Sequence, residues 1–383
     1  MNFLYISPEF PPNFQNFIIN LSAQGVDVFG VGEADFFELP IAVRDALRWY
    51  ERVNLKNTEE VIRAAHHIKD HCLEGGSFDF VESHNEYWLE LEAALNSEFG
   101  ISGFNKDNIC RIKRKSRMKQ IFSGGGLKVA AGGLVDSFED AISLARRIGY
   151  PVILKPDTGV GGVGVHKITS EDELEKIWPS LNEKYILEEF IHGPIHTYDG
   201  LCDASGNVIF ENSLILSAGI LDYIQGENIL FYTDRLIPES LRAVGRKIAS
   251  LFGIRNKFFH FEFFFTPDGY IPIEINARPP GGVILDMMNW SSDTDLYRIY
   301  AEMMAGKTPI VPPEKSYYCG YISPVRMENP PSGEEIKARY GDAVISVEEN
   351  LPLYRAAMGH YRYLIRTRSV MELREIAESI LHR

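Results

Sequence analysis

The segment that most restricts the fold is FHFEFFFTPDGYIPIEINARPPGG, residues 259–282. Its centre, T-P-D-G, is a turn with a mechanism: Pro267 presets φ and Gly269 permits positive φ. The turn joins two very apolar runs, so a β-hairpin within a buried sheet is predicted. Yet His260, Glu262, Glu274, Asn276 and Arg278 stand inside those runs. Side chains alternate across a strand, so His260 and Glu262 share one face, as do Glu274, Asn276 and Arg278. A loop of three or five residues would set Glu262 directly opposite Glu274. Two buried carboxylates repel and are costly to desolvate. A divalent cation resolves the conflict. Magnesium suits it, with hard oxygen ligands, few protein carboxylates and phosphate oxygens at the remaining positions; manganese is the alternative ion. A metal-free salt-bridge cluster of Glu262, Glu274 and Arg278 is the plainer reading. A carboxylate pair for glycoside cleavage leaves the upstream loop unexplained.

That loop is KPDTGVGGVGVHKI, residues 155–168, with a literal G-x-G-x-x-G at Gly159, Gly161 and Gly164. A dinucleotide fingerprint needs its third glycine to open a helix, whose N-terminus takes the pyrophosphate. Gly164 instead opens VHKIT, which is short and β-branched. The helix comes later, with Ser170 as its cap and Glu173 completing a capping box. The glycines therefore join two strands as a hairpin tip. Backbone N–H groups without side chains can approach phosphate closely there. Lys155 at the mouth supplies a point charge. A plain glycine-rich hairpin with a surface lysine is the alternative.

Around these signals, 383 residues allow two or three domains. MNFLYI, FQNFIINLSAQG and VDVFGVG predict strand, helix and strand, hence a parallel sheet. The first turn, SPEFPPN, has prolines where a phosphate-binding turn needs glycines. RIKRKSRMKQIFSGGG reads as one basic helix, and SFEDAISLARRIG as an amphipathic helix capped by Ser137. Beyond Lys184 the chain turns β-rich. The net charge of −14, from 53 acidic and 39 basic residues, disfavours nucleic acid as a partner. Four cysteines, no two of them close, predict free thiols rather than a zinc or redox motif. No signal peptide and no apolar run of 18 residues is legible, so no membrane association and a cytoplasmic location are expected.

The ordered set of Lys155, glycine loop, ILEEFIHG, Glu262 and EINARPPGG resembles the ATP-grasp superfamily, in particular its carboxylate–amine ligases. The L-amino-acid ligases and carbamoyl-phosphate-synthase-like proteins are of that kind. The resemblance runs from about Arg114 to Gly306. It implies a multidomain α/β and α+β protein. An N-terminal parallel α/β (pre-ATP-grasp) domain, 1–110, would precede an ATP-grasp fold of two α+β subdomains. These would be a small lid, 111–190, and a C-terminal subdomain with the magnesium site, 191–383.

The resemblance further implies that Lys115 and Lys155 contact phosphates, and that Gly161, Gly162 and Gly164 close over them. In ILEEFIHG, the carbonyl of Glu189 and the N–H of Ile191 would read adenine, with Phe190 between them. Ile195 stands where such proteins commonly carry a ribose-binding glutamate, so ribose would fall to Glu188 or His196. Glu262, Glu274 and Asn276 match the magnesium ligands. Arg278 and Lys155 would be catalytic, with Arg278 stabilising the reacting phosphate. The implied cofactors are ATP and Mg2+. The implied reaction activates a carboxylate as an acyl-phosphate and joins it to an amine. The partners are then small-molecule substrates, and a homodimer is allowed. The alternatives are a carboxylating enzyme of the biotin-carboxylase or purine-pathway type, and a nucleotide binder without catalysis.

The substrates themselves are not readable. SPEFPPN and SHNE fall at the carboxyl ends of parallel strands, where ligands tend to bind. His84 or Glu86 could hold an amine there, or serve only the loop. Arg362, Arg366 and Arg368 share one strand face near the C-terminus, suited to a substrate carboxylate or to solvent.

Overall fold

The computed structural model describes residues 1–159, 163–217, 226–325, 327 and 329–381. Among them the strands form three sheets. The first holds β1 (Asn2–Ile6), β2 (Asp27–Gly32), β3 (Leu47–Arg52) and β4 (Phe80–Glu82) in the order β3-β2-β1-β4. Every pairing in it is parallel. Its central strands are apolar on both faces because both are covered. Phe3, Tyr5 and Val28 face one core with Phe17, Ile18 and Leu21 of α1 (Gln15–Ala23). Leu4, Ile6, Phe29 and Val31 face the other. That second core is closed by Val61, Ala65 and Ile68 of α3 (Thr58–Cys72) and by Leu91 and Leu95 of α4 (Leu89–Phe99). The short α2 (Ile41–Ala46) leads directly into β3.

The basic segment 111–126 is two helices, not one. α5 (Lys106–Lys113) and α6 (Lys115–Gly124) are separated by Arg114, whose φ of −99° and ψ of 115° are extended. Asp157 explains the break. Its carbonyl accepts from Lys115 N and its carboxylate from Ser116 N, both at 2.8 Å. The loop thus supplies the acceptors that a helix N-terminus needs.

The second sheet runs β5-β8-β6-β7 and is antiparallel. Its strands are β5 (Gly132–Val135), β6 (Val152–Pro156), β7 (His166–Ile168) and β8 (Tyr185–Glu189). One face packs on α7 (Phe138–Ile148), whose Ala141 and Ala145 are buried, and on Leu174 of α8 (Glu171–Ile177). Ser137 and Ser170 cap these helices as expected. Glu173 does not complete a capping box; its carboxylate accepts from Thr169 N and Oγ1 instead. β6 and β7 pair directly, so the glycine stretch joins two strands.

The third sheet is the largest. Its strands are β9 (Ile195–Cys202), β10 (Val208–Asn212), β11 (Leu214–Leu216), β12 (Ile229–Thr233), β13 (Phe258–Thr266), β14 (Gly269–Asn276), β15 (Tyr318–Ser323), β16 (Val344–Glu349) and β17 (Tyr361–Thr367). They run in the order β14-β13-β9-β11-β12-β15-β17-β16, with β10 also paired to β9. On one face of β13, Phe259, Phe261 and Phe263 are fully buried with Tyr198 and the helix Glu239–Phe252. His260 and Glu262 occupy the other face.

The hairpin itself carries a correction. Thr266 pairs with Gly269, so the turn is two residues long, Pro267 and Asp268, not three or five. An even turn alone would set Glu262 opposite Ile273. The register shifts between Glu262 and Phe263, because Ile273 is an extra residue on β14. That bulge restores the pairing of Glu262 with Glu274, and of His260 with Asn276.

Candidate active site

The site lies where the second and third sheets approach each other. β6 delivers Lys155, whose Nζ stands 2.6 Å from Glu188 of the neighbouring β8. Lys119 of α6 reaches the same carboxylate at 2.5 Å and donates to the carbonyl of Ala130. Burial opposes ionisation of Glu188, but Lys155 and Lys119 hold its carboxyl below the ordinary range. Two cations on one anion leave this corner with net positive charge, which suits phosphate.

Lys115 opens α6, one turn from Lys119 and on the same side of the helix. Its Nζ donates to the carbonyl of Gly159 at 2.8 Å and stands 3.6 Å from Glu274. A single lysine therefore touches both the start of the glycine stretch and the carboxylate ladder, which lie far apart in sequence. Gly164, at φ +71°, sits where an added Cβ would stand 3.0 Å from Pro156. Gly161 and Gly162 lie outside the described residues.

The ladder is electrostatically graded. His260 bridges Asp199 through Nδ1 at 2.5 Å and Glu262 through Nε2 at 3.2 Å. Burial opposes its charge, yet the two carboxylates raise it to about 9, so it is an imidazolium. Burial likewise opposes Glu262, which His260, Arg278 and Lys115 hold low. Glu274 goes the other way: burial and Glu262 push its carboxyl up, against Lys115. One ionised and one reluctant carboxylate face each other, which a cation would relieve.

Asn276 is buried between them and the N-terminal domain. With its amide turned so that Nδ2 donates to Glu86, its oxygen lies 3.5 Å from Glu274 Oε1. Arg278 is held by the same Glu86, at 3.1 Å, and by the carbonyl of Pro279 at 2.8 Å. Two carboxylates and an amide oxygen form a hard donor set that fits a magnesium ion. Among the described residues no three His, Cys, Asp or Glu side chains gather at metal-ligand spacing, so other oxygens would have to complete the shell.

Several expectations change. Glu188, a candidate for the ribose hydroxyls, is paired with two lysines, Lys119 and Lys155. His196 pairs with Phe263 across β9 and β13, while Thr197 pairs with Glu262. Strand alternation thus turns His196 to the face opposite the carboxylates, against Phe265 and Tyr270. His84 is fully buried, stacked 3.7 Å from Phe17 with Nδ1 on the Tyr5 hydroxyl, and burial drives it down to about 3. Such a neutral, enclosed ring cannot hold an amine. Arg362 and Arg366 are paired with Glu348 and Asp293, and Arg368 lies beside Tyr317. Within ILEEFIHG, Glu189 binds Ala131 through its carboxylate and its N–H, and Phe190 lies under the Lys167 ammonium. Ile191 follows them as a half-buried residue. Lys119 was missed, although its spacing of four from Lys115 marked a shared helix face. Asp199 carried no local signal, because only the β9–β13 pairing brings it to His260.

Residues 148–286 match the ATP-grasp domain family, so this part of the chain is an ATP-grasp domain. Among solved structures, the L-amino acid ligase from Bacillus licheniformis superposes with a TM-score of 0.74. It is 17% identical, and the match covers 99% of this chain and 96% of that one. The phosphoribosylglycinamide synthetase from Anaerococcus prevotii gives 0.70 at 12% identity, over 99% and 97%. The fold as a whole is therefore that of these two solved structures. In sequence, the chain is 27% identical over 238 residues to the L-arginine-specific L-amino acid ligase of Bacillus subtilis. That match takes in 59% of this chain and 57% of the relative. It is 24% identical over 225 residues to the carbamoyl phosphate synthase large chain of Methanothermobacter thermautotrophicus, or 54% of this chain and 20% of that one. The chain thus spans between a fifth and just over half of these curated relatives.

Proposed function

We propose that the protein is an ATP-dependent ligase that forms an amide or peptide bond between a carboxylate and an amine. The observation that carries this reading is Lys115, which links the Gly159 carbonyl to Glu274 and so brings the start of the glycine stretch beside the acidic ladder. The substrate carboxylate attacks the γ-phosphate of ATP, giving an acyl-phosphate and ADP. The amine then attacks the acyl carbon and phosphate leaves. Lys155, Lys119 and Lys115 neutralise phosphate oxygens, and Arg278 meets the charge on the transferring group. Glu262, Glu274 and Asn276 would hold magnesium, which supplies Lewis-acid polarisation of phosphate oxygens. Glu86 orients both Asn276 and Arg278 from the N-terminal domain. The glycine tip would exclude water while the acyl-phosphate waits. The likeness to amino acid ligases supports the choice of C–N bond formation.

The test is phosphate release from ATP and magnesium with pooled carboxylic acids, amines, amino acids and bicarbonate. Release that needs two organic partners is expected. Release driven by bicarbonate instead would replace ligation with carboxylation. Lys155→Ala and Glu274→Gln should each lower the rate by about two orders of magnitude or more.

A further inference from the structure

A cavity of about 600 Å3 opens at the carboxyl ends of β1, β2 and β4, apart from the nucleotide residues. Parallel sheets commonly receive ligands at this edge. Its walls carry two carboxylates, Glu9 and Glu33, and three aromatic side chains, Phe10, Tyr87 and Trp88. Among the described residues no Lys, Arg or His forms an ion pair with either carboxylate. Glu9 is held at the cavity wall, where its Oε1 accepts from Glu33 N at 2.9 Å. Burial raises the Glu9 carboxyl. A cation in the cavity would offset that burial, and the aromatic walls add their own attraction for one.

Ser7, Ala34 and Asn85 complete the wall, and the residue after Asn85, Glu86, holds Arg278. Phe10 meets Tyr354 at 6.2 Å, and Tyr354 lies within the field of Arg278. The cavity therefore adjoins the phosphate-transfer centre at one end and presents carboxylates at the other. The nucleophilic amine must be uncharged to attack, and carboxylates would keep it protonated. The carboxylates thus suit a second, permanent cation at the far end of the same molecule. We infer that this cavity binds the amine substrate, and that this substrate carries a distal ammonium or guanidinium held by Glu9 and Glu33. The inference rests on the ligase reading above.

The test separates the two. Calorimetry with wild-type protein and a non-hydrolysable ATP analogue would titrate L-lysine, agmatine and putrescine against norleucine and butylamine. The compounds that carry a second, distal cation should bind, and norleucine and butylamine, which lack it, should not. Glu33→Gln, an exposed position that does not endanger folding, should weaken the former about tenfold or more. Glu9→Gln should act in the same direction. In turnover, Glu33→Gln should raise KM for the cationic amine and leave KM for ATP unchanged. Equal binding of amines with and without the distal cation, or wild-type affinity in Glu33→Gln, overturns the inference and leaves ligation standing. Cation binding that Glu33→Gln weakens, with no phosphate release from any pair of partners, keeps the cation site and removes the ligase reading.

Discussion

Lys257 immediately precedes β13, and its ammonium is buried between two carboxylates of the N-terminal domain. Glu82 lies 2.6 Å away and Glu92 2.8 Å away. One lysine cannot neutralise both. Burial opposes ionisation of each, but Lys257 holds Glu82 down at about 2, while burial and Glu82 push Glu92 up to about 8. Glu92 therefore keeps its proton at neutral pH and Glu82 does not. The Glu82 contribution is present above its ordinary value of 4.5 and is lost as pH falls toward 2. The Glu92 contribution is present below 4.5 and is lost as pH rises through 8. In Lys257→Met the attraction disappears, and Glu82 must also take a proton to stay buried. Holding it neutral costs about 1.4 kcal/mol for each pH unit above its ordinary value. The penalty is then about 4 kcal/mol near pH 7.5 and about 1.4 kcal/mol near pH 5.5. The first figure agrees with the usual cost of breaking a buried pair, about 3–5 kcal/mol. Taken over 383 residues, the entropy of unfolding is about 0.8 kcal/mol per kelvin, so the melting temperature should fall by about 5 °C and about 2 °C respectively. Scanning calorimetry at the two pH values reads this directly. An equal fall at both, or a fall below about 1 °C at the higher pH, would refute the reasoning.

The other predictions concern the site. Glu274→Gln should abolish magnesium-dependent turnover yet melt at least as high as wild type near pH 8, because the amide removes a carboxylate that burial and Glu262 disfavour; a lower melting temperature would mean that the Lys115 contact outweighs them. His196→Leu should leave KM for ATP within about twofold, since the ring faces the aromatic core; a large rise would restore it to the nucleotide site. Gly132→Ala should destabilise by about 2–3 kcal/mol and raise KM for ATP. Its Cβ would stand 2.1 Å from the carbonyl of Leu187 and 2.7 Å from Cα of Glu188, at a φ of +150°, and unchanged thermal stability would contradict that geometry.

Much of this architecture was legible because its signals are local. The strand–helix–strand opening, the two hairpins and the serine caps each depend on a few adjacent residues. That His260 shares a face with Glu262, and Glu274 with Asn276, followed from strand alternation alone; that the two pairs meet depends on the bulge at Ile273. What stayed hidden depends on distant partners. Asp157 breaks the basic segment at Arg114 from beyond a whole helix and two strands. Glu188 looked available for ribose because Lys119 and Lys155 meet only after α6 packs beside β8. His196 lies among aromatic rings because it pairs with Phe263, on the face of β13 opposite Glu262.

The extra residue at Ile273 has a consequence for how this hairpin tolerates change in length. Removing Ile273 would leave a regular two-residue hairpin in which Glu274 takes the place opposite Glu262 and Asn276 the place opposite His260. The bulge is therefore the point at which β14 can shed one residue and keep its carboxylates facing each other. Loss of Ile275 instead would turn Asn276 toward the phenylalanine layer, because successive side chains alternate across the strand.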